Sequence, residues 1–303
     1  MKRIAFIIAL SITALYSAAH TRVTVPYAVN DTSTLYMDIY TPDKPDPAKP
    51  AVLYMFGGGF MSGNRRDGID GWFKTLNDHG YSVVSIDYRL GLKGAKLKGL
   101  KFIAELENAI DMAVLDLFSA TAFLLEKGGQ YGIDAHNLVL TGSSAGAISV
   151  LQAEYEICNR SALASMLPDG FNYAGIMSFS GAIFDDHNPL RFPVEPCPLL
   201  LFHGIDDKLV PYKKIAVFNI CFGGTDEIVR LLKKNGYHYT VYRYVDRAHE
   251  VSVYGEYCTG IEFDFLENVV VKGDNGKTVD TVITDPASPN PAWGKTRPGK
   301  MYK

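Results

Sequence analysis

From residue 51 onward, short β-rich runs closed by Gly, Asp or Asn alternate with helical segments. This alternation constrains the fold more than any other feature of the chain. Strands separated by helices pair in parallel, because a crossover has to return the chain to the same edge, and a parallel sheet needs both faces covered. Residues 51–56, 81–86, 137–140, 175–179, 198–202 and 239–245 are the expected central strands. Residues 105–127 carry apolar side chains at helical spacing and are expected to stop at Gly128-Gly129 through a left-handed cap; residues 226–235 stop likewise at Gly236. Upstream, residues 21–29 and 34–40 flank the turn former Asn30-Asp31 and read as an antiparallel hairpin at the sheet edge. The expectation is an α/β fold, a mostly parallel central sheet of about eight strands with helices on both faces.

The ends read differently. Met1-Lys2-Arg3, an apolar run over 4–15 and the small residues Ser17-Ala18-Ala19 have the pattern of an export signal cleaved after Ala19. No Cys follows to carry a lipid. Past Ala19 no other apolar stretch is expected to approach membrane-spanning length, so the mature chain is expected to lack a membrane span and to be periplasmic or extracellular. Residues 272–303 are polar and carry Pro286, Pro289, Pro291 and Pro298, a composition read as a tail. The expected division is therefore a signal peptide over 1–19, one folded domain over 20–271 and a tail over 272–303. Cys158, Cys197, Cys221 and Cys258 are widely spaced and lack a Cys-x-x-Cys pattern; three disulfide pairings or none are open. With 30 Lys and Arg against 33 Asp and Glu, and no basic run to follow a phosphate backbone, a nucleic-acid partner is not expected. The sequence leaves the oligomeric state open.

Gly142-Ser143-Ser144-Ala145-Gly146 matches Gly-x-Ser-x-Gly. The pattern is weak alone, but here a strand precedes it and residues 147–155 read as a helix, the strand-turn-helix setting that lifts a serine hydroxyl clear of a sheet. So sharp a turn strains the serine backbone and leaves no room for a Cβ two residues to either side. The position also opens a helix, where free backbone amides favour negative charge. Ser144 is the candidate nucleophile.

Further segments carry a family resemblance: 35–42 (LYMDIYTP), Phe56-Gly57-Gly58-Gly59-Phe60, Asp87-Tyr88-Arg89-Leu90, Tyr131-Gly132-Ile133-Asp134 and 203–211 (HGIDDKLVP). With the serine motif, the chain from about Leu35 to Glu267 resembles the α/β-hydrolase superfamily, in particular secreted carboxylesterases related to the hormone-sensitive-lipase-like and the feruloyl or acetyl-xylan esterases.

The resemblance implies a site. Phe56-Gly57-Gly58-Gly59 matches a His-Gly-Gly-Gly oxyanion loop, with Phe56 in place of His, so the amides of Gly58, Gly59 and Ala145 are the expected oxyanion donors. The acid falls at Asp207, with Asp206 its rival. The base falls at His249, which completes the order Ser, Asp, His. His203 belongs to the strand-end motif and is expected to be structural, and Asp87-Tyr88-Arg89 to brace loops. Asp185-Asp186-His187 is too compact to converge on a metal. With no P-loop or dinucleotide fingerprint, neither cofactor nor metal is expected. The implied activity is a serine carboxylesterase acting through an acyl-enzyme on a small ester or esterified oligosaccharide, such as feruloyl or acetyl esters of plant cell-wall polysaccharide. An arylformamidase-like amidase and a non-catalytic binding protein on the same fold are the alternatives.

Overall fold

A computed structural model describes residues 21–29, 33–67, 70–96, 99–186 and 189–284. The chain opens with an antiparallel pair, β1 (Thr21–Val29) and β2 (Thr34–Thr41), followed by β3 (Ala51–Met55), helix α1 (Asp70–Asp78), β4 (Val83–Ile86) and the long helix α2 (Leu100–Lys127). Next come β5 (Leu138–Ser143), α3 (Ala145–Asn159), β6 (Gly175–Phe179), β7 (Ala182–Asp185) and β8 (Leu199–Gly204). The remainder is a hairpin of β9 (Lys214–Val217) and β10 (Ile220–Gly224), then α4 (Thr225–Asn235), β11 (Thr240–Tyr244), α5 (Thr259–Asp264) and β12 (Val279–Ile283).

The main sheet runs β1-β2-β4-β3-β5-β6-β8-β11-β12, nine described strands. Only the pairings of β1 with β2 and of β2 with β4 are antiparallel; the others are parallel. Every residue of β3, β4, β6 and β8 is buried, as strands covered on both faces require. Helix α3 packs on β3, β5 and β6 and against α2, which places it under the centre of the sheet. The six expected central strands and the edge hairpin are all present, within one to three residues at their ends.

Three expectations are corrected. Residues 272–303 are not wholly a tail, because Val279–Ile283 pairs in parallel with β11 as the last described strand of the main sheet. Its burial alternates between half-buried and exposed, as suits an edge strand. Helix α2 does stop at Gly128, but not through a left-handed cap there. Gly128 keeps a right-handed backbone (φ −57°), a 3₁₀ turn continues to Tyr131, and the left-handed residue is Gly132 (φ 71°), whose amide reaches the carbonyls of Gly128 and Gly129. Residues 101–131 are long and apolar enough to cross a membrane by length and composition. That apolar surface is used internally, since Ala109, Ile110, Ala113, Val114, Leu117, Phe118 and Leu124 are all buried in the core. All four cysteines are free and buried, which is the no-pairing alternative that the sequence left open. The predicted export signal, the Asn30-Asp31 turn, His187 and the prolines from 286 on lie outside the described residues. The small sheet β7-β10-β9 and helix α1 were not anticipated.

Candidate active site

Ser144 sits between β5 and α3 with φ 53° and ψ −115°, a conformation a non-glycine residue adopts only under strain. The turn is fixed by two close approaches. A Cβ on Gly142 would lie 2.4 Å from the Gly146 carbonyl, and one on Gly146 would lie 2.0 Å from the Met55 carbonyl oxygen. Both glycines are thus required by backbone contact. The Ser144 amide donates to the Phe179 carbonyl at 3.0 Å, tying the turn to β6.

The predicted triad is assembled. His249 Nε2 lies 2.8 Å from Ser144 Oγ, and His249 Nδ1 lies 2.8 Å from Asp207 Oδ2. The three residues come from three loops at the carboxyl ends of β5, β8 and β11, and all are buried. The other oxygen of Asp207 accepts the amides of Leu209 (2.9 Å) and Val210 (3.1 Å), and His203 Nε2 stands 3.3 Å from Oδ2. Burial alone pushes this carboxyl up, but hydrogen bonds from His203 and His249 and their charge outweigh it and hold the group at about 2. An ionised Asp207 assigns the His249 proton to Nδ1, which leaves Nε2 to accept from the Ser144 hydroxyl. Asp206 is exposed and uses its backbone instead, its amide donating to the Arg247 carbonyl at 2.9 Å. Of the two aspartates, Asp207 is the one that reaches the imidazole.

His203 has the structural part expected of it, its Nδ1 lying 2.8 Å from Thr225 Oγ1. Glu250, next to the base, accepts the Ala248 amide at 2.9 Å and so closes the turn that presents His249.

The Gly-rich loop after β3 packs on the nucleophile. Gly57 approaches Ser143 and Ser144 so closely that its Cβ would meet the Ser143 carbonyl oxygen at 3.1 Å. Gly57 and Gly58 line the cavity beside Ser144; Gly59 does not. Ala145 is the first residue of α3, so its amide has no partner within the helix. Phe56, where the family pattern has His, stacks on Tyr88 at 4.3 Å, and the Tyr88 hydroxyl donates to the Phe56 carbonyl at 2.7 Å. Ring stacking and this hydrogen bond hold the loop, and Arg89 anchors the neighbouring turn on Asp116 at 2.8 Å.

The cavity has a volume of about 500 Å³ and is walled largely by Tyr54, Trp72, Phe179, Val253 and Tyr257. A larger one, about 650 Å³, lies between α2, α3 and β7; it is lined by the carboxylates Glu107, Asp111, Glu156, Asp185 and Asp186, and among the described residues no histidine stands beside its serine, Ser161. Sequence reasoning missed Trp72 and Glu262. The indole Nε1 donates to Glu262 Oε2 at 2.7 Å, and burial pushes the Glu262 carboxyl up to about 8 against the weaker effect of that bond. No local pattern marks either residue, because the contact joins positions 190 apart. Among the described residues no group of three metal-ligating side chains converges.

A serine on a strand-to-helix turn, an aspartate after β8 and a histidine after β11, carried on a mostly parallel sheet, match the α/β-hydrolase fold. Solved relatives agree. Thermogutta terrifontis esterase 2 phosphoramylated by tabun superimposes with a TM-score of 0.60 at 19% identity, over 82% of this chain and 94% of that one. The propionate-bound form gives 0.58. In sequence, a family model described as BD-FAE matches residues 37–157. Esterase LipI of Mycobacterium tuberculosis is 35% identical over 112 residues, which cover 35% of this chain and 29% of LipI. Acetylcholinesterase 1 of Caenorhabditis elegans is 30% identical over 119 residues, covering 38% of this chain and 18% of that protein. The chain thus spans less than a third of the length of these curated relatives. The family match takes in the Gly-rich loop and Ser144 but ends before Asp207 and His249, which the geometry alone joins to them.

Proposed function

We propose that this chain is a serine carboxylesterase working through an acyl-enzyme. The observation that carries the reading is the relay Ser144–His249–Asp207, with two contacts of 2.8 Å opening onto an apolar cavity. His249 takes the Ser144 proton as Oγ attacks the ester carbonyl, and Asp207 stabilises the imidazolium that forms. The amide of Ala145, with that of Gly58 in the loop, receives the oxyanion, and Gly59, an expected donor, stands off the cavity; each such donor is worth roughly a hundredfold or more in rate. Gly57 is placed to share this part. His249 then returns the proton to the leaving alcohol and activates water to release the acid. The relatives named esterases support the reaction class.

The substrate we favour is a feruloyl or acetyl ester of plant cell-wall polysaccharide, met after export to the periplasm or the outside and removal of residues 1–19. The likeness noted for the sequence and the aromatic lining of the cavity support this choice. The test is hydrolysis of p-nitrophenyl acetate, methyl ferulate and acetylated xylan by the purified mature chain, with Ser144→Ala as control. Release is expected to fall roughly 10⁴-fold or more in the variant. Serine-dependent release from an amide but from none of the esters would overturn the reading in favour of an amidase.

A further inference from the structure

We infer that Trp72, locked in place by Glu262, is the specificity-determining wall of the cavity and limits the size of the uncharged, apolar group of the ester seated beside Ser144. The inference rests on the esterase reading above and deepens it.

Trp72 is the third residue of α1, far in the chain from the cavity walls contributed by β6 and the His249 loop, yet it is clamped from four directions.

 Tyr54 and Phe179 meet it edge to face at 5.6 and 6.0 Å between ring centroids. Gly255 lies flat against the indole, where a Cβ would sit 3.1 Å from the ring. Glu262 takes the indole N–H at 2.7 Å.

That last contact decides what the wall offers a substrate. The N–H is the only polar atom of the indole, and it is spent on a carboxyl that is itself fully buried, so the ring turns hydrocarbon alone toward the cavity. The second oxygen of Glu262 has no hydrogen-bond partner, which leaves holding Trp72 as the work of this buried group. Among the described residues, the charged side chains lining the cavity besides the catalytic imidazole are Asp67 and Glu256, both acidic and exposed, and no Lys or Arg lines it. An anionic group would therefore enter an apolar chamber with no countercharge and two carboxylates at its rim. Uncharged apolar or aromatic groups fit, up to the length at which they strike the indole.

Glu262 is on this account a positioning residue, acting through Trp72. The test uses two ester series on the mature chain, one varying the acyl group from acetyl to octanoyl and feruloyl on p-nitrophenol, the other varying the alcohol on acetate. Trp72→Ala and the milder Trp72→Phe are expected to shift the preference in one series toward larger groups, by about tenfold or more in relative kcat/KM for Ala. The series that shifts identifies which half of the ester meets the wall. Glu262→Leu, which removes the acceptor, is expected to broaden the same series with a larger change in KM than in kcat, and Glu262→Gln, which keeps an acceptor, to restore the narrow profile. Trp293→Phe leaves Trp72 as the sole tryptophan, and its emission is expected to shift when Ser144 is labelled with alkyl fluorophosphonates of increasing size. Unchanged profiles in both series for folded, active Trp72 variants overturn the wall. A wild type that neither hydrolyses any ester nor reacts with the fluorophosphonate overturns the esterase reading itself, and the wall with it.

Discussion

Gly204 and Ala248 approach so closely that a methyl group on Gly204 would lie 2.2 Å from the Ala248 carbonyl oxygen and 2.5 Å from that of Arg247. The end of β8 and the loop carrying His249 are thus in backbone contact, and the hydrogen bond from the Asp206 amide to the Arg247 carbonyl fastens them together. Asp207 and His249 are held in one register by the missing Cβ.

Gly204→Ala should therefore be a catalytic lesion before it is a structural one. The added methyl pushes residues 247 and 248 outward and His249 with them, and a displacement near 1 Å is expected to cost about a hundredfold in kcat. Circular dichroism and thermal melting should show a folded protein with slowed fluorophosphonate labelling. Near wild-type kcat in the variant would contradict the contact.

Asp206 and Asp207 are adjacent but differ completely in surroundings. Asp207→Asn should lower kcat about 10⁴-fold, because an amide favours the wrong imidazole tautomer. Asp206→Asn removes only an exposed side chain and keeps the amide that reaches Arg247, so its kcat should stay within about threefold of wild type. Steady-state kinetics on p-nitrophenyl acetate separates the two; the reverse order would move the acid to 206.

Much of this site was legible because its geometry is short-range. Gly142, Ser144 and Gly146 are dictated by one turn, and the same turn reads identically in sequence and in space. The choice between Asp206 and Asp207 is a matter of which neighbour faces inward, and only the motif favoured 207 before the structure showed its contacts. Gly59 was an expected oxyanion donor, whereas Gly57 and Gly58 line the cavity, because composition alone does not reveal how a run of three glycines winds. Strand β12 was hidden for another reason. Its five residues alternate too weakly to declare a buried face, and the edge it completes on β11 is formed by a pairing distant in the chain. Trp72 and Glu262 lie beyond any local pattern, since packing alone brings them together.

The cysteines give a chemical check on the core. All four are buried free thiols, and burial raises each of them, Cys258 to about 12. A neutral, inaccessible thiol is a poor nucleophile, so iodoacetamide at neutral pH should leave the native protein unmodified. In urea without reductant, intact-mass analysis should show four adducts. Two adducts or none under those conditions would mean that disulfides had formed.

Glu262 makes a prediction about stability whose sign is opposite to that of an ion-paired carboxylate. Its folded value of about 8 stands above the 4.5 of an ordinary glutamate, so between those limits the folded protein keeps a proton that the unfolded chain has lost. This group's contribution must then fall as pH rises from about 4.5 to about 8, by up to about 1.4 kcal/mol per pH unit, and level off above. Asp207, held at about 2, acts the other way: its contribution is present above 3.8 and is lost as pH falls through 2. Glu262→Gln removes the titration while keeping an acceptor for the Trp72 indole. Urea midpoints measured at pH 5 and pH 8 should show the variant gaining on wild type as pH rises. Parallel pH dependence in the two proteins would mean that Glu262 is ionised in the folded state.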